Sequence, residues 1–235
     1  MIRPPKDKQP LWKINNDKAD KKGFRNTVYS VNGNEYTGEW LNNKRHGKGT
    51  YKWKATKNMY DGDWKEDKRN GFGTLSVPRE DGGYEKIYSG GWKNDKMHGY
   101  GTYFYGTKAY FEGEWYMGRK SGWGRMYYED GSVYEGEWYD DKRHGQGMYR
   151  TSDENRYEGE WQDDKKHGHG KYYFLDKGQV YEGVWFEDTA KCGEMKDFCR
   201  ETAPDPSKYP LPQCYLANSQ QILNNAEEDL SIKDI

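Results

Sequence analysis

The sequence has few of the aliphatic residues that usually build a protein core. Only 27 of its 235 residues are Leu, Ile, Val or Phe, a proportion typical of disordered chains. Two features argue against disorder. The formal net charge is −1, so charge repulsion does not keep the chain expanded, and aromatic residues make up 17% of the sequence. Because Trp and Tyr bury large apolar areas, we expect a core that is aromatic rather than aliphatic.

Other absences narrow the class of protein. The sequence contains no run of 18 apolar residues, which argues against a membrane-spanning helix, and it begins with "MIRPPKDKQP", which lacks an apolar signal segment. The 38 basic and 39 acidic residues balance, so no overall attraction to nucleic acid is expected. The three cysteines, Cys192, Cys199 and Cys214, are odd in number. Together with the missing signal, they predict reduced thiols in the cytoplasm.

A short motif recurs seven times, with its tryptophans spaced 23 to 28 residues apart. It reads aromatic-x-Gly-x-Trp, as in "YEGEW" at Tyr134, and in the first six copies six residues separate the tryptophan from a Gly-x-Gly. The seventh copy departs from the pattern and has a single glycine, Gly193. A repeat of this length is too short for a pair of helices and matches one β-hairpin, so the sequence predicts stacked hairpins.

The alternation of side chains along a strand predicts how each hairpin pairs. If the six residues after Trp40, "LNNKRH", form the loop, Trp40 lies opposite Gly47 and Tyr36 lies opposite Tyr51. The same register gives the leading aromatic residue of each of the first six repeats an aromatic or apolar partner. On the second face it places Glu39 opposite Lys48, Glu112 opposite Arg125, and Glu158 opposite Lys171. One face of the sheet is therefore expected to be aromatic and the other mostly charged.

These patterns predict an all-β fold, a single-layer antiparallel meander of about 14 strands in an elongated twisted sheet. The array occupies residues 23–198, with an opening half-repeat before the seven repeats. Residues 1–22 are an N-terminal extension, and residues 199–235 are a Pro-rich segment followed by a short C-terminal helix. We expect that helix to pack on the last repeats.

A single-layer sheet leaves its aromatic face without the second layer that domains normally have. The paired glycines form a row between the tyrosines and the tryptophans, and this row predicts a trough in which a protein partner binds. The expected scaffold function rests on the ridges of this trough, which are Tyr36, Trp40, Tyr60, Trp64, Tyr88, Trp92, Phe111, Trp115, Tyr134, Trp138, Tyr157 and Trp161.

The predicted hairpin loops are basic, as in "NNKRH" and "DDKKH", and they support an alternative function. Stacked at one edge, they would form a positive rim that tethers the protein to a phosphoinositide membrane surface. Equally, they could be solvated loops that balance the acidic strands. The residues concerned are Lys44, Arg45, Arg119, Lys120, Lys142, Arg143, Lys165 and Lys166. A homodimer joined through sheet edges or trough faces is a third possibility.

No arrangement of residues indicates catalysis. Histidines at equivalent repeat positions would lie two strands, roughly 10 Å, apart, which is too far to share a metal ion. The Gly-x-Gly joins strand to strand and opens no helix, so it is not a phosphate-binding loop. We expect no enzyme activity, no metal, no cofactor and no small-molecule substrate.

The unit "YEGEW", followed by Gly-x-Gly, resembles the membrane occupation and recognition nexus, or MORN, repeat. The resemblance covers residues 23–198, and "LWK" at Leu11, "SGWGRMYY" at Ser121 and "AKCGEMKDF" at Ala190 resemble one small animal member of the family. It implies a single-layer hairpin sheet that acts as a scaffold. It also implies a role in male germ cells during spermatogenesis, at the acrosome, a cytoplasmic vesicle or the developing flagellum.

Overall fold

The computed structural model describes residues 19–197, which belong to two compact units divided between His98 and Gly99. All fifteen elements are β-strands, and in each unit they form an antiparallel meander whose strand order is the order along the chain. This confirms the predicted all-β meander. The predicted C-terminal helix, and its packing on the last repeats, lie outside the described residues.

The strands number fifteen rather than about 14, because the opening half-repeat contributes β1. The first unit contains β1 (Gly23–Tyr29), β2 (Glu35–Leu41), β3 (Lys44–Lys52), β4 (Met59–Lys65), β5 (Lys68–Pro78) and β6 (Tyr84–Lys93). The division between the units falls within β7 (Lys96–Phe104). The second unit continues with β8 (Tyr110–Tyr116), β9 (Arg119–Tyr127), β10 (Val133–Tyr139), β11 (Lys142–Arg150), β12 (Arg156–Gln162), β13 (Lys165–Phe174), β14 (Gln179–Phe186) and β15 (Thr189–Asp197).

The leading aromatic residues face the partners that alternation predicts. The confirmed pairs are Tyr36 with Tyr51, Tyr60 with Leu75, Phe111 with Met126, Tyr134 with Tyr149, and Tyr157 with Tyr172. On the second face, Glu112 pairs with Arg125 and Glu158 with Lys171, as predicted. The predicted pairing of Glu39 with Lys48 is wrong, because the register shifts at Glu39 and Lys48 pairs with Asp63 of the next repeat. Each unit therefore has an aromatic face, on which the tyrosines and tryptophans of the motif lie, and a charged face, on which the residues between them lie.

The predicted six-residue loop is wrong, because two residues close each hairpin. Between β2 and β3, Asn42 and Asn43 have φ values of 48° and 63°, the left-handed pair of a type I′ turn. Asn, Asp and Gly tolerate this conformation best. The seven turns are Asn42-Asn43, Glu66-Asp67, Asn94-Asp95, Met117-Gly118, Asp140-Asp141, Asp163-Asp164 and Glu187-Asp188. The basic residues assigned to loops therefore lie inside strands.

The predicted pairing of Trp40 with Gly47 is also wrong. The register shifts at a β-bulge, so Trp40 pairs with Arg45, while Gly47 pairs with Trp64 of the next repeat. The same shift occurs in the hairpins β4–β5, β8–β9, β10–β11 and β12–β13. Gly38 and Trp40 are two positions apart on β2, whereas their partners Gly49 and Arg45 are four positions apart on β3. The bulge therefore adds two residues to β3 and bends it.

Glycine is required at the two positions of each Gly-x-Gly for different physical reasons. Gly47 has a φ of 59° at the bulge, a conformation that is costly for residues with a Cβ. Gly49 is extended, but a Cβ built on it would lie 2.5 Å from Cζ of Tyr36. The first glycine therefore permits the bulge, and the second gives the tyrosine ring the space to lie flat on the sheet.

Candidate partner-binding faces

The aromatic face of each unit is held together by rings that pack edge to face. Tyr134 has no exposed surface, and its ring centroid lies 5.2 Å from that of Trp138 in its own repeat and 5.3 Å from that of Trp161 in the next. Its hydroxyl donates a 2.9 Å hydrogen bond to the carbonyl of Glu137. Edge-to-face ring pairs are favourable beyond the area that they bury. One tyrosine thus joins two successive repeats.

The twelve residues predicted to form the trough ridges lie at the base of this face. Apart from Trp40, which is half-buried, all of them are buried. The tyrosine rings cover the second glycines of the Gly-x-Gly motifs, so the chain's own side chains fill the floor of the trough. The Tyr and Phe rings in particular have almost no surface left for contact with another molecule.

The aromatic side chains that remain accessible on this face were missed by the sequence reasoning. Tyr51 is half-buried and packs on Trp53 at 4.8 Å between ring centroids. In the second unit, Tyr103 packs on Tyr105 at 4.7 Å, and the Tyr105 side chain is exposed. Partial burial raises the pKa of Tyr105 to about 12. One sequence feature indicates these residues. A second aromatic residue follows, two positions later, the residue that is predicted to lie opposite the leading aromatic residue of the motif.

The second basic residue of each predicted loop lies over the aromatic face. The Arg143 guanidinium sits 4.3 Å from the ring centroid of Trp161, a cation–π contact. It also donates to the Asp164 carboxylate at 3.2 Å and to the Asp164 carbonyl at 2.6 Å. The equivalent cations are Arg45 over Trp64, Arg69 over Trp92, Lys120 over Trp138, and Lys166 over Trp185.

These cations are structural parts of the face rather than free charges. In each case a turn residue of the next repeat accepts a hydrogen bond from the backbone N–H of the cation, as Asp141 does from Lys120 at 2.9 Å. Burial lowers the pKa of both Lys120 and Lys166. Arg69 is a member of this set that the sequence reasoning did not select.

The first basic residue of each predicted loop stays at the surface, where most have an acidic partner. Lys142 lies 2.8 Å from the Asp163 carboxylate, Lys165 lies 3.5 Å from Glu187, and Arg119 pairs with Asp140. Lys44 is exposed. The eight residues predicted to bind lipid therefore separate into four that pack over aromatic rings and four at the surface.

We expect no phosphoinositide-dependent flotation of the full chain with liposomes at physiological salt. The cations would have to give up their carboxylates or their aromatic contacts before binding phosphate. Replacing Asp140, Asp163 and Glu187 by Asn, Asn and Gln would release three surface cations, and this variant should float more than the wild type. Flotation of the wild type that is lost in Lys142→Glu/Lys165→Glu would contradict the expectation.

Two kinds of feature are absent from the described part of the chain. Among residues 19–197, no group of three or more His, Cys, Asp or Glu is placed to hold a metal ion. No helix within the same residues has the length and apolar character needed to cross a bilayer.

The hairpin repeat, with its edge-to-face rings and two-residue turns, defines a class of repeat protein built from single β-hairpins. The profile of the MORN repeat matches residues 36–55, 60–77, 88–109, 111–133, 134–156 and 157–179. The chain belongs to the MORN repeat family. The last match ends at the first residue of β14, so the profile does not match the seventh hairpin, which lacks a Gly-x-Gly.

The relatives are similar over nearly their full length. "MORN repeat-containing protein 3" of Xenopus laevis is 58% identical over 231 residues, which cover 98% of this chain and 97% of the relative. The protein of the same name from Homo sapiens is 62% identical over 223 residues, or 94% of this chain and 93% of the relative. That of Bos taurus is 61% identical over 227 residues, or 96% and 94%.

Proposed function

We propose that the chain is a non-catalytic scaffold that binds protein partners along its aromatic face. One observation carries this proposal. Within each unit, every element of residues 19–197 is a strand of the meander, so no element of a unit forms a second layer over that unit's own partly exposed aromatic rings. Sheets normally bury an apolar face under such a layer, and an uncovered one marks an interaction site.

A partner on this face would contact the half-buried rings and the cations packed beside them. Tyr51 and Trp53 supply the rings in the first unit, where the Arg45 guanidinium lies 4.8 Å from the Tyr51 centroid. Tyr103 and Tyr105 supply them in the second unit. Aromatic residues and arginine are the residue types enriched at the energetic centres of protein interfaces. The twelve ridge residues, all of them buried except the half-buried Trp40, support the shape of this surface from beneath.

The cellular setting is part of the same proposal and rests on the family resemblance alone. We place the protein in the cytoplasm of male germ cells, at the acrosome, a cytoplasmic vesicle or the flagellum. Antibody staining of testis sections would check it. Staining restricted to somatic cells would contradict it.

The scaffold function is tested by comparing exposed aromatic residues on the two faces. The full chain would be immobilised, and germ-cell cytosol passed over the wild type, a Trp53→Ser/Tyr105→Ser variant and a Phe72→Ser control. Phe72 is exposed on the charged face of the first unit. We expect partners of the aromatic face to be retained by the wild type and the control and lost from the double variant.

Each retained protein would then be purified and its affinity measured directly. Loss of two aromatic contacts should weaken binding by about tenfold or more. Circular dichroism of each variant separates lost binding from unfolding. Equal retention of every partner by folded wild type and double variant would overturn the proposal.

A further inference from the structure

The charged face carries a second pattern, at the residue between the two glycines of each Gly-x-Gly. In the first hairpin this residue is Lys48, which pairs across the strands with Asp63 and lies 2.6 Å from its carboxylate. At the same repeat position of the second unit, Tyr100 pairs with Glu114, and Trp123 pairs with Glu137. The carboxylate is kept, but an aromatic ring replaces the cation.

Both aromatic side chains of this pattern are exposed. Tyr100 is 64% exposed and Trp123 is 51% exposed, whereas Phe111 and Tyr134 on the opposite face of the same unit are fully buried. Glu114 and Glu137 are exposed as well. In the described residues, neither carboxylate has a Lys, Arg or His side chain within ion-pair distance.

The neighbouring positions increase the negative charge. Glu112 and Glu135 share the guanidinium of Arg125, at 3.8 Å and 2.8 Å respectively. On β8, β9 and β10 the charged face therefore presents four carboxylates beside Arg125, and the other cation of this face, Arg119, is paired with Asp140 at the turn. Such a surface repels phosphate groups and attracts cations.

We propose that Tyr100, Glu114, Trp123 and Glu137 form a docking surface for an extended basic segment of a partner protein. A Lys or Arg of that segment would take the place that Lys48 occupies in the first hairpin, with its charge on the carboxylate and its methylene stem on the aromatic ring. Exposed rings attract such cations through their faces, and Trp and Tyr anchor many interfaces.

The spacing of the two ring–carboxylate pairs indicates the form of the segment. Tyr100 lies on β7 and Trp123 on β9, so the two pairs are separated by two strand spacings, roughly 9.6 Å. A polyproline II helix returns to the same side every third residue, after about 9.3 Å. The surface therefore fits a segment in this conformation that carries a basic residue at every third position.

The surface is distinct from the aromatic face of the proposed scaffold function, so the two proposals fail independently. It would let one chain hold two partners at once, one on each face. In the second unit, Tyr105→Ser alters the aromatic face alone, and this variant should leave binding to the charged face unchanged.

The test uses synthetic twelve-residue peptides and fluorescence anisotropy with the full chain at physiological salt. The probe is (Lys-Pro-Pro)4, and the comparison peptides are (Glu-Pro-Pro)4 and a peptide of the same composition with its four lysines consecutive. We expect the first peptide to bind best and the acidic peptide not to bind. Glu114→Gln/Glu137→Gln and Tyr100→Ser/Trp123→Ser should each weaken binding of the probe by about three- to tenfold.

A charge-matched control distinguishes this surface from diffuse attraction. Asp153→Asn/Asp176→Asn removes the same charge from exposed turns of the second unit and should leave the affinity within about twofold. An equal loss in the control and the Glu114→Gln/Glu137→Gln variant would overturn the proposal. Equal binding of the acidic and basic peptides would overturn it as well.

Discussion

Trp161→Ala is expected to lower the free energy of unfolding of the second unit by about 3–5 kcal/mol. The indole is only 3% exposed, and its ring lies 5.3 Å from both Tyr134 and Tyr157. Its Nε1 donates a 3.2 Å hydrogen bond to the carbonyl of Gly147. Removing it opens a cavity between two repeats, and it takes away the ring over which Arg143 packs.

Trp123→Ala is the matched control for this prediction. It removes the same side chain from the same unit, but Trp123 is 51% exposed on the charged face, so the loss should stay below about 1 kcal/mol. Urea unfolding would be followed by far-ultraviolet circular dichroism, because both changes remove an indole fluorophore. Similar midpoints for the two variants would contradict the assignment of the aromatic face as the core.

Gly147→Ala is the second change with a large expected effect. A Cβ at this position would lie 2.7 Å from the Tyr134 ring, closer than non-bonded carbon atoms approach. The ring cannot move aside, because Trp138 and Trp161 pack against it. Overpacking of this kind costs about 1–3 kcal/mol and sometimes more, which exceeds the roughly 0.5–1 kcal/mol that replacing glycine with alanine in a strand would otherwise contribute.

Gly106→Ala provides the comparison. Its Cβ would meet only the carboxylate of Glu129, at 2.5 Å, and that side chain can rotate away. We expect a change within about 0.5 kcal/mol for this variant. Thermal unfolding would compare the two variants. If Gly147→Ala lowered the stability as little as Gly106→Ala, then the second glycine of the Gly-x-Gly would not be required to make space for the tyrosine ring.

The repeat, the hairpin unit and the pairing of the leading aromatic residues were predictable from the sequence. A hairpin with one aromatic face must repeat its aromatic residues at every second position, and opposite positions must both be apolar. Tyr36 and Tyr51 satisfy this rule in a chain with few aliphatic residues. The spacing of the aromatic residues therefore strongly determines the register around them.

The turns were predictable in principle but were missed. Asn42-Asn43 and Asp163-Asp164 are residue pairs that tolerate left-handed φ, and such pairs between two strands indicate a type I′ turn. The strand residues that follow, such as Lys44 and Arg45, are polar, so the whole segment was interpreted as a loop. That error also placed Trp40 opposite Gly47 instead of Arg45.

The face of the sheet on which a basic side chain lies depends on contacts with residues that are distant in the sequence. Arg45 lies over Trp64 and hydrogen-bonds Asp67, which is 22 residues further along the chain. Lys44, its neighbour in sequence, is exposed. Two adjacent cations that look equivalent in the sequence therefore have different roles, because successive residues of a strand point to opposite faces.

By itself, the sequence determined the family, the hairpin repeat and the aromatic character of the core, because all three depend on residue type and spacing along the chain. The tertiary structure alone decided which residues of that core stay accessible. It buried Tyr134 between two tryptophans and left Trp123 exposed beside Glu137. The physical reason is that a ring is covered by parts of the chain that come together only when the hairpins stack. These parts are the glycine beneath a tyrosine ring, the bulge and the next repeat.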